Sequence, residues 1–143
     1  SIAGLTRAGS KDVLHESHAP AADPAVLKTD DELTFRRTYV RDEMLRKLKQ
    51  GQFPVEAEID LHGLRQHAAQ EALRQFLNDC LHRGLHCVRV IHGKGLRSGP
   101  GGPVLKLVVH HWLRKVENVA AFAAARPADG GSGAVYVLLT VRK

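Results

Sequence analysis

Apolar and polar positions alternate between Val55 and Leu61, with Val55, Ala57, Ile59 and Leu61 on one face and Glu56, Glu58, Asp60 and His62 on the other. A period of two predicts a strand with one polar face, and it puts Asp60 and His62 on the same side at the strand's end. The period then lengthens. From Gln66 to Arg83, Ala69, Leu73, Phe76, Leu77, Cys80 and Leu81 recur at steps of three and four, which predicts a helix closed by Gly84. Residues Cys87–Ile91 form a nearly continuous apolar run broken only by Arg89, the pattern of a buried parallel strand. A glycine-rich loop from Gly93 to Gly102 leads into a second helix, from about Pro103 to Lys115, whose Leu105, Val108, Val109 and Trp112 would face the sheet. Two further strands, Val119 to Ala125 and Ala134 to Val141, are expected to be joined by a flexible hairpin connection carrying Pro127 and Gly130-Gly131-Ser132-Gly133.

The order βαβαββ predicts an α/β two-layer sandwich, a mixed four-stranded sheet with two helices on one face. A right-handed βαβ crossover sets the first two strands parallel, so the segments leaving their carboxyl ends should meet at one edge, where open α/β sheets bind ligands.

Ahead of this body, residues 1 to 54 read as an arm. As far as Thr29 the chain mixes Gly, Ser, Ala, Pro and charges without a sustained period, too little apolar surface to offset ordering entropy. Asp30, Asp31 and Glu32 then resemble an acidic helix start, and basic residues gather toward Gln50. This predicts a helix over about 31–50, ended by Gly51 and Pro54. Its stripe of Tyr39, Val40, Met44, Leu45 and Leu48 would pack on the chain's own body or on a partner such as a ribosome or a second copy, the latter giving a homodimer. The division expected is therefore 1–54 for the arm and 55–143 for the body.

Composition narrows the class. A chain of 143 residues with 43% hydrophobic and 25% charged residues fits one globular domain with an appendage. No apolar run approaches the roughly 18 to 20 residues that cross a bilayer, and no secretory signal pattern opens the chain, so a cytoplasmic location is expected, with no membrane partner. Two cysteines, Cys80 and Cys87, make neither a disulfide framework nor a zinc spacing. The net charge of +6 is concentrated in the body: residues 1–50 hold 9 Lys and Arg against 8 Asp and Glu, residues 51–143 hold 12 against 7. Such a basic body suits a nucleic acid, DNA or RNA, or another anionic surface.

The candidate chemistry sits where the first two strands end. In Asp60-Leu61-His62-Gly63 a carboxylate on the same face as an imidazole can fix its tautomer and raise its basicity; the plainer reading is a strand-end cap on the next helix. In His92-Gly93-Lys94-Gly95 the glycines would let backbone N–H groups approach an anion, Lys94 would add a charge, and Arg97 would extend the grip; the plainer reading is a strand-to-helix turn. Asp60, His62 and His92 are thus the candidate catalytic residues, and Gly63, Gly93, Lys94, Gly95 and Arg97 the candidate substrate-binding ones. No Walker spacing is present, and no metal ligand set can be assigned. One or both of His110 and His111 read as solvated or lightly packed helix residues, and Cys80 and Trp112 read as core.

Ile59-Asp60-Leu61-His62-Gly63-Leu64, Ile91-His92-Gly93-Lys94-Gly95 and Phe122 with Gly130-Gly131-Ser132-Gly133-Ala134, in this order and spacing, resemble the Smr domain, the small MutS-related endonuclease module. The resemblance covers roughly residues 55 to 143, and the helical arm is similar to that of stand-alone bacterial members. It implies a fold like the C-terminal domain of translation initiation factor three. It also implies nucleic-acid cleavage attributed to Asp60-Leu61-His62. Members have been assigned both DNA nicking and mRNA cleavage on stalled ribosomes, so the resemblance leaves the substrate open. On RNA, His62 would help a 2′-hydroxyl attack the neighbouring phosphate. On DNA, water must be activated, with Mg²⁺ at Asp60 as the implied cofactor. The alternative is a non-catalytic nucleic-acid- or ribosome-binding module of the same fold.

Overall fold

A computed structural model of the chain describes residues 33–94 and 102–140. Five strands, β1 (Phe35–Arg36), β2 (Glu58–Asp60), β3 (Cys87–Ile91), β4 (Val119–Ala124) and β5 (Ala134–Leu139), form one sheet in the order β1-β4-β5-β3-β2. Only β2 and β3 are parallel; every other neighbouring pair is antiparallel. The helices are α1 (Asp42–Lys49), α2 (Gln66–His82) and α3 (Gly102–Lys115).

Strand alternation divides the core in two. Val88 and Val90 of β3, Phe122 of β4 and Val135, Val137 and Leu139 of β5 face α2 and α3, where they meet Leu73, Leu77, Val109 and Leu113. The opposite residues, Cys87, Ala121, Ala123, Tyr136 and Leu138, face α1 and its Leu48. Alanines prevail on this second face of β4, and they let a short helix lie close. Both cysteines are buried, and burial pushes each thiol up to about 11, so they pack as small apolar groups.

The mixed α/β sheet with α2 and α3 on one face is as the pattern predicts, but two details differ. The helix expected over 31–50 begins only at Asp42, and the sheet has five strands where four were expected. Four of residues 35–40, Phe35, Thr38, Tyr39 and Val40, are aromatic or β-branched, and Phe35 and Arg36 pair with β4, Phe35 opposite Phe122. The Phe35 and Phe122 rings lie 5.3 Å apart, and the Arg37 and Arg114 guanidiniums stack on Phe35 at 5.0 and 4.9 Å. Arg37 also reaches across to the end of α3 and donates to the carbonyls of Arg114, Val116 and Val119 at 2.9 to 3.0 Å. Helix α1 therefore covers part of the second face, and the two-layer sandwich gains a partial third layer. Of the arm's apolar stripe, Val40 and Leu48 are buried on the sheet while Tyr39 and Met44 stay exposed. The arm upstream of Leu33 lies outside the described residues.

The helix ends follow local rules. After α1 the Gln52 N–H bonds the Lys47 carbonyl and the Gly51 N–H that of Leu48; after α2 the Leu85 and Gly84 N–H groups do the same to Cys80 and Leu81. This paired closure satisfies carbonyls that would otherwise be orphaned. The connection between β4 and β5 is two successive 3₁₀ turns, Pro127–Asp129 and Gly131–Gly133, rather than a loose hairpin. Tyr136 Oη donates to the Asp129 carboxylate beneath it and accepts from the Arg126 N–H, which ties this connection to the sheet.

Candidate active site at the ends of the parallel strands

Because β2 and β3 are parallel, with Asp60 paired to Ile91, the segments after them leave the sheet side by side. The ladder runs one residue past β2, where the Leu61 N–H bonds the Ile91 carbonyl at 2.7 Å and the Leu61 side chain is fully buried. That anchor leaves Asp60 and His62, on either side of it, on the outward face. The His62 ring Nδ1 lies 2.6 Å from Asp60 Oδ1, and the same oxygen accepts the His62 backbone N–H at 3.0 Å. Both side chains are open to solvent, at 68% and 51% exposure for His62 and Asp60. Burial pushes the Asp60 carboxyl up, but the bonds from the His62 ring and backbone, with the attraction of the ring, outweigh it and hold the group below its usual range. Since an ionised carboxylate only accepts, Nδ1 carries a proton, and Nε2 is left as the ring nitrogen without a partner in this pair.

The second motif adjoins this pair. Gly93 has φ +91, a left-handed conformation, and a Cβ there would sit 3.3 Å from His62 Cβ. The Gly133 carbonyl accepts from both the His92 and Gly93 N–H groups at 3.0 Å. A Cβ on Gly133 would lie 3.3 Å from both Lys94 N and Gly93 C, and 3.0 Å from Lys94 Cγ. All three glycine-bearing motifs thus converge at one corner of the sheet.

His92 is placed apart from the Asp60–His62 pair. It shares the face of Val88 and Val90, so its ring points under the sheet toward α3 and is only 3% exposed. Its Nδ1 bonds the Gly93 carbonyl at 2.7 Å, and its ring lies 5.0 Å from that of His110, which in turn meets the edge of Phe122 at 5.2 Å. Burial, then the neighbouring His110, lower the basicity of His92 to a pKa of about 3. His110 is buried, with Nδ1 bonded to the Lys106 carbonyl one turn back, and of the His110–His111 pair it is His111 that stays partly exposed. Trp112 packs against the core as expected. Gly63 follows His62 in the turn, whereas Gly95 and Arg97 lie outside the described residues.

Two contributors escape a sequence reading. The Gly133 carbonyl is a backbone group with no side-chain signature. Arg89 is visible as a break in an apolar run, and it pairs with Glu58 and lies 3.6 Å from Asp129 on the same face as Asp60. It thereby occupies the neighbouring carboxylate of β2. No group of three or more His, Cys, Asp or Glu among the described residues is arranged to hold a metal ion. Glu58 is engaged by Arg89, so of the two β2 carboxylates Asp60, whose Oδ1 already accepts from the His62 ring and backbone, is the one a Mg²⁺ ion would have to share with that imidazole.

A family model described as the Smr domain matches residues 59–140. The chain is 36% identical over 109 residues to the ribosome rescue factor SmrB of Aeromonas hydrophila, covering 73% of this chain and 59% of that protein. It is 32% identical over 114 residues to the probable DNA endonuclease SmrA of Escherichia coli, covering 80% and 61%. It therefore spans about three fifths of the length of these relatives. Among solved structures, YdaL, a stand-alone small MutS-related protein from Escherichia coli, superposes with a TM-score of 0.65 at 34% identity over 76% of this chain and 82% of that one. The Smr domain of Thermus thermophilus MutS2 gives 0.51 at 35% identity over 58% and 96%.

Proposed function

Because the chain belongs to the Smr domain family, we propose that it is a nucleic-acid endonuclease whose outward-facing Asp60–His62 pair cuts a phosphodiester seated on the Gly93–Lys94 turn. The observation that carries this reading is the 2.6 Å contact that fixes the His62 tautomer on an exposed corner beside that turn. On RNA the pair suffices as the base. His62 Nε2 takes the proton of the 2′-hydroxyl, the 2′-oxygen forms a bond to phosphorus, and the bond from phosphorus to the 5′-oxygen breaks. The leaving oxygen takes a proton from solvent and a 2′,3′-cyclic phosphate remains. Asp60 stabilises the imidazolium that forms, and the Lys94 ammonium and backbone N–H offset the growing charge on the phosphoryl oxygens. On DNA, where that hydroxyl is missing, Mg²⁺ bound at Asp60 would supply an activated water.

RNA is the substrate the pair can process unaided, and the relatives named ribosome rescue factors support it. Met44 on α1 and Tyr39 just before it, both exposed, would then meet a partner such as the ribosome.

The test is cleavage of labelled RNA, of the same RNA with a 2′-deoxy nucleotide at the cut, and of supercoiled DNA, each with and without EDTA. His62→Ala should lower RNA cleavage by about 10²- to 10⁴-fold, the range for a lost general base, while binding persists. Cleavage that survives Asp60→Ala/His62→Ala would overturn the assignment. Binding without cleavage of any substrate by the native chain would leave the alternative, a nucleic-acid-binding module.

A further inference from the structure

The orientation of His92 gives it a task that neither catalysis nor packing explains. A carbonyl oxygen only accepts, so the 2.7 Å contact with the Gly93 carbonyl places the His92 proton on Nδ1. In a neutral ring the buried Nε2 is then a bare acceptor, and it finds no hydrogen-bond partner. For packing alone this is a poor choice, since a phenyl ring would fill the space beside His110 and Phe122 without stranding a polar atom. What the imidazole adds is the Nδ1–H, and that proton holds one peptide group.

The peptide is the one between Gly93 and Lys94. In a trans peptide the C=O and the following N–H point in opposite directions. Drawing the Gly93 oxygen toward the ring under the sheet therefore turns the Lys94 N–H away from the core, toward the face from which Asp60 and His62 project, while the Lys94 nitrogen itself lies against Gly133, whose added Cβ would stand 3.3 Å from it. No described backbone carbonyl accepts from that N–H. The positive φ of Gly93 permits the turn, and the Gly133 carbonyl fixes its other side through the N–H groups of His92 and Gly93. His110, bonded through Nδ1 to the Lys106 carbonyl, braces the His92 ring from α3.

We infer that His92 is a positioning residue, braced by His110, that locks the Gly93–Lys94 peptide with its N–H turned outward as a donor to a phosphodiester oxygen. This rests on the proposed cleavage site and specifies how that site grips its substrate. The full-length chain, labelled with ¹⁵N, can be compared with His92→Phe and His92→Asn; the Asn amide places an N–H close to where Nδ1 stands, and Phe has none.

Imidazole ¹⁵N shifts should report His92 as the neutral Nδ1–H tautomer. Titration with a short RNA and the matching DNA should shift the Lys94 amide of the native chain. His92→Phe, folded by circular dichroism, should bind about ten- to a hundredfold more weakly, the fold-change of losing one charge-assisted hydrogen bond, and His92→Asn should restore most of the loss. If Phe does not fold, the His92 tautomer and the behaviour of the Asn variant decide. An Nε2–H tautomer, Phe binding as tightly as native, or Asn binding as weakly as a folded Phe variant would overturn the inference. A native chain that binds neither RNA nor DNA would instead overturn the site reading, and the inference with it.

Discussion

At the scale of single residues, a shift of one position in strand register separates the imidazole proposed to react from a buried one. His62 shares the outward parity of Glu58 and Asp60, and His92 the inward parity of Val88 and Val90. This division makes stability depend on acid. The unfolded chain protonates His92 near 6.5, the folded one only near 3, so between these values the unfolded state binds more protons. The stabilisation is complete above about 6.5 and is lost as pH falls toward 3, at no more than about 1.4 kcal/mol per pH unit. Urea midpoints measured from pH 7 to pH 4 should therefore fall less steeply for His92→Asn; equal slopes would show that the ring is not the buried base. Gly133→Ala probes the opposite side of the turn. Its new Cβ would lie 3.3 Å from Gly93 C and Lys94 N, so the turn must move by a few tenths of an ångström. A loss of about 1 kcal/mol in stability with weaker nucleic-acid binding is expected from denaturation and fluorescence anisotropy, as for other overpacked sites. The Asp60–His62 pairing was legible because a period of two needs only four consecutive contrasts. The inward turn of His92 was also written there, in its parity with Val88 and Val90, but its neighbours Gly93 and Lys94 drew the reading toward the open site.

Elements were legible in proportion to their length and their independence of distant partners. Helices α2 and α3 and strands β3, β4 and β5 announce themselves through sustained stripes and runs. Strand β1 does not. Two residues hold no period, and Phe35–Arg36 becomes a strand only because β4, more than eighty residues later, offers Phe122 as a partner. The acidic triplet Asp30-Asp31-Glu32, which suggests a helix start, lies outside the described residues, and Asp42 and Glu43 form the first turn of α1. Arg37 extends the same long-range dependence to α3, whose terminal carbonyls it satisfies. A cation there also suits the negative end of the helix dipole. Arg37→Ala should cost about 1.5 to 3 kcal/mol, the scale of hydrogen bonds to a charged donor, read as a lower thermal midpoint. Cleavage per folded molecule should be unchanged, because Arg37 contacts none of the residues at the corner. A loss of activity at constant stability would mean that α3 transmits strain to His92 through His110.

For the whole molecule, the arm and the corner proposed as the cleavage site use different parts of one sheet. Asp60, His62, Gly93, Lys94 and Gly133 all follow Val55, so a chain starting at Val55 keeps every group the proposed reaction uses. It would lose β1, α1 and Arg37, leaving Ala121, Ala123 and Leu138 without their cover and Phe122 without Phe35. The uncovered face is a contiguous apolar patch, of the kind that drives self-association. It joins the groove of about 560 Å³ lined by Tyr39, Val40, Phe53, Cys87, Ala120 and Leu138, which the intact chain already presents beside α1. The truncated chain should therefore unfold at lower urea and self-associate with rising concentration in light scattering, while its dilute folded fraction still cuts. A monodisperse truncated chain with an unchanged midpoint would show that the arm contributes nothing to the sheet's stability. The value of the arm would then lie in what its exposed Tyr39 and Met44 touch outside this chain.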